Sequence, residues 1–118
     1  MSHVAKVDVE FRDMKALERA CKRINAQFCG RGFVKFYDDT EVGGTVIYLP
    51  DWKYGIVIQA NGDVCYDNYE GEWGDMAELL KLKRYYAVEA AKVEAEEKGY
   101  TYEEEELPTG VLKLTINT

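Results

Sequence analysis

Trp52-Lys53-Tyr54, Trp73 and the helix-spaced set Lys81, Lys83, Arg84, Tyr85 and Tyr86 are the residues of this chain best suited to bind something. Aromatic faces stack on planar groups such as bases, while Arg and Lys clamp phosphates or carboxylates. Lys81, Arg84 and Tyr85 recur at spacings of three and four, which sets them close together on a helix. The first-turn amides of a helix that starts after Asp75 could receive an anion, although the Asp75 carboxylate would oppose it. A pocket for a small anionic or nucleotide-like ligand would thus be furnished by Trp52, Lys53, Tyr54, Trp73, Lys81, Arg84 and Tyr85. The same residues admit two other readings. They could be the rim of a core beside a solvated helix face, or a docking patch, since Tyr, Trp and Arg are enriched at interface hot spots.

The remaining reactive side chains assemble no catalytic site. His3 is the only histidine, and no nucleophile or orienting partner accompanies it. Cys21, Cys29 and Cys65 are an odd count without CxxC spacing, which argues against a disulfide framework and against a structural zinc site. All three read as reduced, buried small hydrophobes. Cys29 has a cation nearby in sequence, at Arg31. Carboxylates are plentiful at Asp38, Asp39, Glu41, Asp63, Asp67 and Glu103–Glu106. Strand alternation sends Glu103 and Glu105 to one face and Glu104 and Glu106 to the other, so the run is no metal cluster but a solvated face. Arg31-Gly-Phe-Val-Lys-Phe36 looks like a shortened RNP1 signature with two residues missing, and it reads as an alternating strand. The expectation is therefore no catalytic residue, no metal and no cofactor, which argues against an enzyme rather than for one.

Composition narrows the partners. The chain has 118 residues, 47% hydrophobic and 31% charged, which is the profile of one ordered globular domain spanning 1–118. Fifteen basic against 22 acidic residues give a net charge of −7. Such a surface repels phosphate backbones, so nucleic acid is not an expected partner, whereas one basic pocket for a small anion stays compatible with it. No apolar run approaches the ~20 residues that span a bilayer, and the first residues carry no signal-peptide pattern. The expected location is the cytoplasm.

The elements that must position these residues can be read from periodicity. Residues 3–11 alternate as a first strand, with Ala5, Val7, Val9 and Phe11 on one face. Asp13 caps a helix through about Ala26, whose stripe is Met14, Leu17, Cys21 and Ile24. Gly30-Arg-Gly32 interrupts before a strand at 33–37, and Gly43-Gly44 turns the chain into a strand at 45–49. Asn61-Gly62 between two β-rich runs predicts a hairpin over 54–69 with a type I′ turn, which needs φ > 0 at both central residues. Asp75 caps a long helix to about Lys98, with Leu79, Leu82, Tyr86, Ala90 and Val93 inward and Met76 and Leu80 beside them. Gly99 stops it. A closing hairpin joins 100–106 to 111–117. The order βα-ββββ-α-ββ predicts an α+β domain: a largely antiparallel sheet of five to seven strands with two helices on one face.

With the elements in place, the chain resembles a family of small uncharacterised proteins encoded in algal plastids and cyanobacteria, with bacterial and phage relatives. The resemblance rests on Met1-Ser-His3 and its strand, the helix around Leu17, the Tyr54–Asp63 hairpin and Gly71-Glu-Trp73. It extends to the second helix with Leu80, Lys83-Arg84-Tyr85 and Ala87, and to the Glu-rich strand returning into Val111-Leu-Lys-Leu114. It implies an α+β domain and no known activity, so no catalytic residue is carried over. The working expectation is a non-catalytic protein, homo-oligomeric, that holds a small anionic or nucleotide-like ligand. Phage relatives extend this to sequestering a signalling nucleotide. The alternative is an interaction or assembly module docking a partner through an exposed aromatic and basic patch.

Overall fold

Asp13 begins helix α1 (Met14–Arg23) by accepting the Ala16 amide at 3.1 Å through Oδ1, and Asp75 begins α2 (Met76–Glu97) by accepting the Ala77 amide at 2.9 Å. Each carboxylate satisfies an amide donor that the first helical turn leaves unpaired. The computed structural model describes residues 4–7 and 10–118, with 4–7 and Glu70 described by their backbone. His3 and part of the expected first strand lie outside those residues.

Five strands, β1 (Val4–Val7), β2 (Gln27–Lys35), β3 (Glu41–Tyr48), β4 (Ile56–Ile58) and β5 (Val64–Asp67), form one antiparallel sheet ordered β1-β5-β4-β3-β2. The closing hairpin, β6 (Thr101–Glu106) and β7 (Leu112–Asn117), forms a separate two-stranded sheet. The α+β class and the βα-ββββ-α-ββ order of the sequence are those of the structure. Both helices pack on one sheet face, where Leu17, Ala20 and Cys21 of α1 and Leu79 and Leu82 of α2 meet Ile47, Ile56, Ile58 and Val64. A second cluster, Val34, Phe36, Val46 and Val57, lies on the opposite face beneath Tyr54. No helix among the described residues is long and apolar enough to cross a membrane.

Four local expectations are corrected. Gly43 and Gly44 do not turn the chain; they lie inside β3, paired with Phe33 and Gly32. A Cβ at Gly44 would collide with the Ile58 backbone carbonyl, so glycine there permits the close approach of β4. The segment before Phe33 is strand rather than interruption, because a bulge absorbs Cys29 where the register slips between Phe28 and Gly30. Cys29 is exposed as a result, whereas Cys21 and Cys65 are buried, and burial pushes the Cys21 thiol up to about 12, with the Glu18 charge adding to it. The Asn61-Gly62 hairpin forms, but φ is positive only at Gly62 (91°). The Gly62 amide donates to the Gln59 carbonyl and the Gln59 amide to the Asp63 carbonyl, both at 2.8 Å, which makes a three-residue loop with a left-handed glycine.

The fourth correction concerns α2, where Glu89 rather than Ala90 occupies the most buried position of its turn, at 4% exposure. Arg19 and Arg23 reach its carboxylate from α1 at 2.8 and 2.9 Å, and Lys92 reaches it at 3.3 Å. Arg19 goes on to Glu96, while Arg23 and Lys92 both hold Glu104 of β6. The Tyr102 hydroxyl donates to Glu96 at 2.7 Å. One charge network therefore fastens α1, α2 and the closing hairpin. Burial raises the Glu89 pKa, yet the hydrogen bonds from Arg23 and Lys92 outweigh it and the net shift is downward.

Arg19 and the Tyr102 hydroxyl hold the Glu96 carboxyl at about 2, and Arg23, against a smaller desolvation effect, holds Glu104 at about 2, both from 4.5. A carboxylate with a depressed folded pKa stabilises the protein fully above its unfolded value and stops doing so as pH falls through the folded one. Stability should thus be level above about pH 4.5 and decline between there and about pH 2. Urea midpoints measured across that range would contradict this if they stayed constant.

Candidate functional site

The helices leave one end of their sheet face uncovered, and a cleft of about 540 Å³ opens there. Its floor is Gly43, Gly44 and Thr45 of β3 with Ile58, Gln59 and Ala60 of β4 and its turn; Phe11, Arg12 and Met14 wall one side and Arg31 and Phe33 the other. The bulge explains why Arg31 and Phe33 stand here. Phe28 pairs with Ile47 and Arg31 with Thr45, so both project to the helix side although they are three residues apart. A regular strand would send them to opposite faces.

Phe33 is 73% exposed, and its ring lies across Gly43, where a Cβ would fall 2.7 Å from the ring. Its outer face is open to a ligand. Arg31 is exposed and, among the described residues, enters no ion pair. Arg12 pairs with Glu10 at 2.9 Å at the surface, an arrangement that water and salt weaken. Met14 Sδ accepts the Thr45 hydroxyl at 3.6 Å. The cleft thus joins apolar walls and a flat aromatic surface to two guanidinium groups. Such a lining can hold a small molecule with one planar and one anionic part.

The residues singled out from the sequence fall into three places. Trp52 is buried at 7% in the helix-side core, edge-on to Tyr66, with its indole N–H donating to the Asp75 carbonyl at 3.1 Å. Lys53, Tyr54 and Trp73 do come together. Tyr54 and Tyr37 approach the Trp73 ring at 5.4 and 5.1 Å, Tyr69 stacks on it at 4.7 Å, and Lys53 Nζ lies 4.8 Å above it. The Lys53 amide donates to the Trp73 carbonyl at 2.8 Å, tying this loop to the start of the hairpin. On α2, Lys81 pairs with Glu78 at 3.4 Å, and the Tyr85 ring has the guanidinium groups of Arg23 at 4.3 Å and Arg84 at 5.4 Å from its centre. Arg84 also borders a smaller cleft of about 330 Å³ between α2 and the turn of the closing hairpin.

The cleft is not legible in the sequence because its makers carry separate local signals. Arg31 and Phe33 read as an alternating strand, Gly43-Gly44 reads as a turn, and Arg12 carries no signal of its own. The available signal was the pairing of an Arg-Gly-Phe run with a Gly-Gly run. Once these strands are neighbours, the glycines vacate the space under the aromatic ring.

Comparison adds no relative: no family model, no curated protein and no solved structure matches this chain.

Proposed function

We propose that this is a non-catalytic binding protein for a small anionic, nucleotide-like ligand, working as a homo-oligomer. The observation that carries this reading is the cleft lined by Arg12 on one side and by Arg31 and the exposed Phe33 on the other, over a glycine floor. A planar group would lie on the Phe33 ring while a phosphate or carboxylate meets the guanidiniums. The buried apolar wall at Phe11 and Ile58 excludes water behind it.

Native mass spectrometry of protein purified from cells, before and after denaturation, tests the reading and weighs the released ligand. Arg31→Glu should weaken its binding by at least about tenfold, or ~1.4 kcal/mol, because one favourable charge becomes a repulsive one. Lys53→Glu and Trp73→Ala leave the cleft intact and should bind as the wild type does. If those two lose the ligand while Arg31→Glu keeps it, the site lies at the aromatic cluster first read from the sequence. Protein that emerges bare and stays empty across a nucleotide panel would end the ligand reading.

A second reading, an assembly module that docks a partner protein, is favoured by Tyr37. It is 55% exposed beside Trp73 and Lys53, forming an aromatic and basic patch on the surface.

A further inference from the structure

α2 carries apolar residues on two sides. Leu79, Leu82 and Val93 face the core, and at about 100° per residue the row Leu80, Arg84, Ala87 and Ala91 lies on the opposite side of the same helix. Leu80 is 56% exposed there. Beside this row the turn of the closing hairpin brings Val111, 54% exposed, and the two together border the cleft of about 330 Å³ that runs past Arg84, Ala87 and Val88. Leu80 and Val111 are both large aliphatic side chains left in water, and a second copy that covered them would gain from their burial.

The charges along the helix say with what. Lys81, Lys83 and Arg84 lie in its first half, Glu94, Glu96 and Glu97 in its second. Glu96 is engaged by Arg19, but Lys83 is exposed, and Glu94, on the same flank of the apolar row, meets only Lys98 of its own chain among the described residues. Lys83 and Glu94 are placed evenly about the midpoint between Val88 and Glu89.

From this we infer that the outer face of α2 is the contact between two copies of this chain, packed antiparallel about a two-fold axis that crosses the helix midway between Val88 and Glu89. In that register Lys83 of each copy stands beside Glu94 of the other, so the same ion pair forms twice, as a two-fold interface requires. Ala87 and Ala91 let the helices approach closely at the axis. Leu80 is covered by the last turns of the opposite helix. The inference names the surface for the oligomer in the proposed function, and it does not depend on the cleft at Arg31.

Sedimentation equilibrium tests it by charge exchange. The wild type is dimeric. Lys83→Glu and Glu94→Lys each place like charges together twice, and each raises the dimer Kd roughly tenfold or more. Mixing these two variants restores wild-type affinity, because both contacts of the heterodimer are then of opposite sign. Leu80→Glu gives monomer. All three positions are exposed, and unchanged melting curves at low concentration show that the fold is kept. A wild type that remains monomeric overturns the surface, and a mixture no tighter than its components overturns the register. Loss of ligand binding by Arg31→Glu, measured separately, bears on the cleft alone.

Discussion

Trp52→Ala is expected to lower the unfolding free energy by about 3–5 kcal/mol, the largest effect of any single truncation considered for this chain. The indole is nearly inaccessible, it fits against Gly74 so closely that a Cβ there would overlap the ring, and it meets Tyr66 edge-on at 5.8 Å. Its N–H bonds the carbonyl of Asp75, the residue that caps α2. Truncation therefore opens a core cavity and loosens the start of the helix together. Trp52→Phe keeps much of the volume and loses the hydrogen bond, at a cost of about 1–2 kcal/mol. Urea unfolding of the two variants measures both values. If Trp52 were held mainly for a ligand, Trp52→Ala would instead change stability by less than ~1 kcal/mol and remove binding.

Glu89→Ala is the second large effect, at about 2–3 kcal/mol. Removing this carboxylate takes the shared anion from Arg19, Arg23 and Lys92, three cations gathered at the joint of α1 and α2. The loss is set at or below the lower end of the range for broken buried pairs, because Glu96 and Glu104 continue to hold the same cations. A drop in melting temperature of about 10 °C corresponds to it for a domain of this size. Glu89→Gln keeps the shape and one hydrogen-bond acceptor and should fall between Glu89→Ala and the wild type. Equal melting temperatures for wild type and Glu89→Ala would show the network to be solvent-screened and without consequence for the fold.

The clearest features to read from the chain were those with local causes. Asp13 and Asp75 cap the helices expected of them, because a carboxylate before an amphipathic run can bond the free amides of the first turn whatever surrounds it. The alternation of Leu112, Leu114 and Ile116 with Lys113 and Thr115 defines β7 for the same reason. Glu89 was illegible on these grounds. A glutamate within a helical stripe reads as solvated, and only the arrival of arginines from 66 and 70 residues away in the chain makes its burial tolerable. Cys29 reads as a buried small hydrophobe, and the bulge that exposes it depends on pairing with β3.

The candidate site divides in the same way. Of the seven residues expected at one site, Lys53, Tyr54 and Trp73 lie together, where the loop before α2 meets the start of the hairpin. Trp52 precedes Lys53 directly, yet it enters the core while Lys53 stays at the surface. Arg31 and Phe33 could not be seen as cleft residues until β2 lay against the glycines of β3.

By itself the sequence determined the α+β class, the order of elements, both helix starts and the acidic surface, because these follow from periodicity, capping chemistry and composition. The tertiary structure decided which face each side chain takes after the bulge, which carboxylate is buried, and where a cavity is left. Those depend on contacts between residues far apart in the chain, and a bulge of one residue reverses the facing of everything beyond it.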